Sequence, residues 1–200
     1  MFSESRKIIA IGGVPATGKS TILKKFLAQF PNEWALSEAP LVPFMARERL
    51  IVLGHYAPNE KFPGTDRMSM AVQPKAMEFI NDGNAKFCDI LFEGDRLFTA
   101  SFLEHCAEHS ELQILIITSN PTIIEARHIG RADTQSEQFK TGRETKIDNI
   151  RSNFMLMDYI KTFEHNTPQD TDTIVQYLNN QLLEGYNNAD PNQGRRPTEE

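Results

Sequence analysis

The run Gly13-Val14-Pro15-Ala16-Thr17-Gly18-Lys19-Ser20, followed by Thr21, constrains this chain more than any other feature. It fits G-x-x-x-x-G-K-[ST] at every fixed position. Lys7 to Ile11 (KIIAI) precedes it and reads as a short buried strand. Thr21 to Phe30 follows, with Ile22, Leu23, Phe26, Leu27 and Phe30 at the spacing of a helix face. A glycine loop between a strand and a helix turns backbone N–H groups inward, and the helix N-terminus adds its dipole. That arrangement holds phosphate groups. Gly13, Val14, Pro15, Ala16, Thr17, Gly18, Lys19, Ser20 and Thr21 are therefore the expected nucleotide-binding residues. Lys19 is expected to reach the β- and γ-phosphates of ATP, and the Ser20 hydroxyl to hold Mg²⁺.

A chain of 200 residues suits one domain with a sizeable core. The formal net charge of −6 gives no general pull on nucleic acid, though it leaves room for a local basic groove. Met1 to Arg6 is polar and the apolar run after it is short and broken by glycine, so no signal peptide is expected. No apolar run approaches membrane-spanning length. Cys88 and Cys106 have no metal-site spacing and are expected to be reduced, buried or half-buried thiols, consistent with a cytoplasmic protein.

Apolar runs alternate with helical patterns along the chain. Strands are expected at Glu33 to Ser37, Arg49 to Tyr56, Cys88 to Phe92 and Leu112 to Thr118. Helices are expected at Val72 to Ile80, at Phe102 to His109 and from Pro121 onward. Ile147, Ile150, Phe154 and Met157 mark one face of a long helix. Thr167-Pro168-Gln169-Asp170 reads as an N-cap with Pro at N1 and an acid at N3, ahead of Ile174, Leu178 and Leu182. This alternation predicts an α/β fold, a parallel sheet flanked by helices, over residues 1–184. The polar stretch 185–200, rich in Asn, Pro and Gly, is expected to be disordered.

In such a sheet the ligand sits beyond the carboxyl ends of the strands. Glu93 directly follows the CDILF strand and is placed to hold the Mg²⁺ shell. Glu38 follows the EWALS strand, where a general base would take a hydroxyl proton. Asp66, in Gly64-Thr65-Asp66-Arg67, is a second candidate base. Arg67 beside it can hold an acceptor phosphate bidentately. Arg127 and Arg131 share one helical face and are expected to form a lid that neutralises charge over the phosphates. Lys140, Arg143 and Lys146 follow. Between Arg127 and Arg151 six cations stand against four acids, where the acceptor should bind.

The combination GGVPATGKST, FPGTDRMSMAVQP, ILFEGDRLF and RADTQSEQFKTGRETKI resembles the small P-loop kinases of bacteriophages, most closely the 5-hydroxymethyluridine DNA kinases. The resemblance runs from about Lys7 to Leu183. It implies transfer of the γ-phosphoryl group of ATP to the 5-hydroxymethyl group of a modified uracil in phage DNA, with Mg²⁺ as cofactor and hydroxymethyluracil-containing DNA as partner. Asp95-Arg96 loosely resembles the acid–Arg pair of deoxynucleoside kinases, which adds Arg96 to the acceptor-binding candidates Arg67, Lys140 and Arg143. Two other readings stay open: a kinase for a free nucleoside or nucleoside monophosphate, and an ATP-driven switch that hydrolyses slowly.

Overall fold

The computed structural model describes residues 6–37, 41–54, 56, 63–83, 85–130 and 137–183. Seven strands form one sheet in the order β2-β3-β4-β5-β1-β6-β7. These are β1 (Lys7–Gly12), β2 (Ala35–Ser37), β3 (Phe44–Arg47), β4 (Leu50–Leu53), β5 (Asp89–Glu93), β6 (Glu111–Thr118) and β7 (Ile160–Glu164). The five strands from β4 to β7 in this order are parallel, and β2 and β3 add an antiparallel edge. The helices are α1 (Lys19–Leu27), α2 (Gln73–Asn81), α3 (Ala100–His109), α4 (Pro121–Gly130), α5 (Glu137–Arg151) and α6 (Pro168–Leu182).

Strand side chains alternate between two faces, and both faces are buried. Ile8 and Ala10 of β1, Ile90 and Phe92 of β5 and Ile114 and Ile116 of β6 pack with residues of α2, α3 and α5. Ile9, Ile11, Leu91, Leu115 and Ile117 point the other way, into Ile22, Leu23 and Phe26 of α1 and Ile174 and Leu178 of α6. Nearly continuous apolar runs such as LQILII, broken only by Gln113, are what a doubly covered strand requires.

β1 lies between β5 and β6, with Ile11 opposite Glu93. The chain leaves β1 for α1 on one face and leaves β5 for α3 on the other. A crevice opens where two such connections diverge, at the carboxyl ends of β1 and β5. The glycine loop and Glu93 both stand there.

Several elements differ from the sequence expectation. β3 is a four-residue strand, paired in a tight antiparallel hairpin with β4, and too short to show a period. β7 lies at the sheet edge with Lys161 and Thr162 exposed, so it lacks an apolar run. The long helix ends at Arg151. Asn153 turns the chain out, its side chain donating to Glu104 Oε1 at 2.7 Å, so Phe154 is 84% exposed rather than on a buried face. At α6 the capping box is complete: Thr167 Oγ1 accepts from Asp170 N, and Asp170 Oδ2 accepts from Thr167 N at 2.8 Å. Cys88 and Cys106 form no disulfide, and burial pushes the Cys106 thiol up to about 12. Among the described residues no helix is long and apolar enough to cross a membrane. The stretch 185–200 lies outside the described residues.

Candidate active site

The glycine loop is held open from its outer side. Gly13 and Gly18 have φ of 141° and 95°, in a region where an L side chain is strained, and Ala16 at φ 63° adds a third left-handed turn. A Cβ on Gly13 would run into the backbone oxygen of Ile117, and one on Gly18 into the ring of His165. His165 is buried. Its Nδ1 lies 2.7 Å from Thr17 O and its Nε2 2.7 Å from Thr171 Oγ1. A carbonyl accepts only, so Nδ1 carries the proton and Nε2 takes the threonine's hydroxyl hydrogen. Burial lowers the His165 pKa, which keeps the ring neutral and this tautomer in place.

Arg127, expected to close over the phosphates as a lid, instead braces the loop from outside. Its guanidinium donates to Ala16 O, Ser119 Oγ and His165 O, each at 3.1 Å. Ser119 Oγ in turn donates to His165 O at 2.7 Å. Arg127 and His165 thereby hold two of the loop's carbonyls, those of Ala16 and Thr17, from its outer side.

On the inner side, Lys19 Nζ donates to Gly13 O at 2.8 Å and Val14 O at 2.9 Å. Its charge reaches two carboxylates, Glu93 and Asp66. Glu93 is 1% exposed, and Ser20 Oγ donates to its Oε1 at 2.9 Å. Burial pushes the Glu93 carboxyl up to about 7; Lys19 opposes the shift and Asp66 adds to it. The buried Tyr56 hydroxyl approaches Glu93 too, without a well-formed hydrogen bond to any described residue. Burial beside these carboxylates raises the Tyr56 pKa well above its ordinary value.

A second loop closes over the tip of β5. Thr65 is buried, and its Oγ1 donates to Glu93 O at 3.0 Å. Asp66 Oδ1 accepts from Asp95 N at 2.6 Å. A Cβ on Gly64 would lie 2.7 Å from Tyr56 Oη and 2.8 Å from Glu93 Oε1, so glycine is what lets the loop come this close. Burial raises the Asp66 pKa, against the pull of Lys19, Arg96, Arg143 and Lys146. From α5, Arg143 forms an ion pair with Asp95, and Lys146 Nζ lies 2.9 Å from Asp95 Oδ1 and donates to Asp95 O at 2.8 Å. Burial, then neighbouring Arg143, lowers Lys146 to about 8. Arg96 Nε donates to Met68 O at 3.3 Å.

The fold thus gathers Lys19, Ser20, Glu93, Asp66, Arg96 and Arg143 around one strand-end crevice. Arg67 is exposed on the same loop as Asp66. Lys140 falls on α5 with a side chain outside the described set, and Glu38 and Arg131 lie outside the described residues. Sequence reasoning missed His165, Thr171 and Tyr56, which belong to no motif. It missed Asp95 as an anchor for Arg143 and Lys146, a partnership set by packing across distant segments.

The donor set fits a magnesium ion. A hydroxyl and a carboxylate meet at the mouth of the glycine loop, both hard oxygen donors of the kind Mg²⁺ takes alongside phosphates.

No protein-family model matches this chain, and no curated protein sequence does. Among solved structures, a gluconokinase from Sinorhizobium meliloti 1021 aligns with 88% of this chain and 97% of its own at 11% identity and a TM-score of 0.45. A shikimate kinase from Bacteroides thetaiotaomicron aligns over 88% and 97% at 14% identity and a TM-score of 0.45. A sugar kinase from Janibacter sp. HTCC2649 aligns over 88% and 93% at 10% identity, again with a TM-score of 0.45.

Proposed function

We propose that this chain is a kinase that transfers the γ-phosphoryl group of ATP to a hydroxyl acceptor. The observation that carries the reading is the meeting of Ser20 and Glu93 at 2.9 Å beside Lys19, at the carboxyl ends of β1 and β5. Mg²⁺, when bound, would neutralise phosphate charge there, held by Ser20 and Glu93. Lys19 leaves the carbonyls of Gly13 and Val14 for the phosphates, where its charge stabilises the transferring group. His165 and Arg127 hold the loop from its outer side. Asp66, half-buried within reach of the Lys19 charge, is the base that takes the acceptor's proton, and desolvation already favours its protonated form. Glu38 is the alternative base from the sequence.

Two cations of α5 favour a small acceptor. Side chains of Arg143 and Lys146 are 23% and 25% exposed, turned inward onto Asp95 rather than displayed as a strip for a nucleic-acid backbone. The acceptor in this reading is a free nucleoside or nucleoside monophosphate. The second reading, hydroxymethyluracil within DNA, rests on the sequence resemblance. Offering γ-labelled ATP with hydroxymethyluracil-containing DNA, ordinary DNA, or free nucleosides and their monophosphates separates the two. Label on a free acceptor supports the small-molecule reading, and label on modified DNA alone replaces it. Label on none of them, with ATP hydrolysed, removes the kinase reading.

A further inference from the structure

α3 carries a second cluster of metal-binding groups, outside the nucleotide crevice. His105, Glu108 and His109 stand at i, i+3 and i+4, so one helical face presents all three over the last turn. One ligand atom from each lies within 4.8 Å of the others. The two imidazoles already pack edge to face, with centroids 4.7 Å apart. We propose that these three residues bind one divalent transition ion of the zinc, nickel or copper class.

Geometry supports this. Bonds of about 2.0–2.2 Å to nitrogen and oxygen place tetrahedral donors about 3.3 Å apart. Closing the present spread takes about 1.5 Å, within the reach of rotamer changes in side chains that are exposed or half-exposed. Two imidazoles with one carboxylate select borderline metals over Mg²⁺ or Ca²⁺, which take oxygen sets. The fourth position opens to solvent. The carbonyl end of the helix carries partial negative charge, which favours a cation.

The surroundings orient one ligand in advance. Asn81 Nδ2 lies 2.9 Å from His105 Nε2, and Arg6 Nη2 donates to Asn81 Oδ1 at 3.0 Å. With its oxygen taken by the guanidinium, the amide turns an N–H toward the ring. Nε2 of His105 thereby accepts from Asn81 and Nδ1 carries the proton, so a metal ligated through Nε2 competes with the amide for that lone pair. A metal would exchange that single N–H contact for a coordinate bond. Arg6 also donates to the backbone oxygen of His109 at 3.3 Å, so the same buried arginine fixes both ends of the histidine pair.

The test uses the full chain with no affinity tag, titrated with zinc chloride in a calorimeter, then with nickel and magnesium chlorides. Wild type should take one equivalent of zinc and of nickel at this site with micromolar affinity, and no magnesium there. His109→Ala should weaken zinc binding at least about tenfold, and Glu108→Gln severalfold less. His109 and Glu108 are exposed, so metal-free melting temperatures should stay at the wild-type value. Ser20→Ala, which changes the nucleotide crevice, should leave zinc binding intact. Wild type that takes up no zinc overturns the proposal. So does a His109→Ala variant that binds it as tightly as wild type, which would place the ion elsewhere.

Discussion

The imidazole of His165 occupies the space that a side chain on Gly18 would need. The glycine is thus required twice, by its φ of 95° and by the ring against it. Gly18→Ala meets about 1–2 kcal/mol of backbone strain and must also displace a buried ring bonded at both nitrogens. It should raise the Kd for ATP at least tenfold and lower the melting temperature by several degrees. Calorimetric titration with ATP and a thermal melt check this. An alanine variant that binds ATP like wild type would show that the ring does not set the loop's shape.

Lys19 separates chemistry from folding. It sits on the rim of the loop, bonded to the carbonyls of Gly13 and Val14, and takes no part in either core cluster. Lys19→Ala should cost about 10²–10³ in turnover, the usual size of losing a charge-stabilising donor. Its melt should stay close to that of wild type. Single-turnover transfer of labelled phosphate measures the first quantity. A folded variant that keeps most of its rate contradicts the kinase reading.

The glycine loop and the acid at the tip of β5 were legible because each is local. A strand, a turn and a helix start lie within a few residues, and phosphate chemistry dictates the residue types. The capping box at Thr167 was legible for the same reason. β3 and β7 were not, since a short hairpin strand and a polar edge strand have little apolar period to display. The helix face drawn through Phe154 and Met157 failed because Asn153 ends the helix through a contact to Glu104, on another helix. The inward turn of Arg143 and Lys146 depends on Asp95, about fifty positions away in sequence.

Glu93 gives the protein a pH dependence of definite sign. Its folded carboxyl is pushed up to about 7 from an ordinary 4.5. Between those values the folded state binds more protons than the unfolded state. Stability therefore falls as pH rises through this window, by roughly 3 kcal/mol at most for this group. Metal-free wild type should melt lower at pH 8 than at pH 5.5. Glu93→Gln should show a flatter profile over the same range, since its amide does not titrate. Magnesium with ATP should restore part of the wild-type loss at pH 8, because a bound cation compensates the ionised carboxylate. Parallel melting series of the two proteins decide it, and identical slopes would mean Glu93 is not the titrating group.

The proposed role of Asp66 as base predicts the effect of its amide. Asp66→Asn keeps an oxygen to accept from Asp95 N, at 2.6 Å in the wild type, and removes only the capacity to take a proton. Turnover should fall about 10²-fold or more with the Kd for ATP nearly unchanged. Glu38→Gln is the paired variant. If it abolishes transfer while Asp66→Asn remains active, the base belongs to the loop after β2.

Salt distinguishes the acceptors, because each phosphate contact on a duplex releases counterions. The logarithm of affinity falls against the logarithm of salt with a slope of about 0.9 per contact. A protein reading DNA through five or six cations would show a slope near 5. Here Arg143 and Lys146 are committed to Asp95, and both are drawn in from the surface. The expected slope for the Michaelis constant of the acceptor is therefore about 1–2, one contact or two. The paired test is Lys146→Met, which removes the charge while keeping much of the stem's packing. Its effect on the Michaelis constant of ATP should be small, since Lys146 faces Asp95 and not the glycine loop, so any rise should fall on the acceptor. Michaelis constants for the free acceptor, for modified DNA and for ATP, measured from 50 to about 300 mM salt, provide the comparison. A steep slope on modified DNA, with no transfer to any free nucleoside or monophosphate, would reverse the assignment in favour of the polymer.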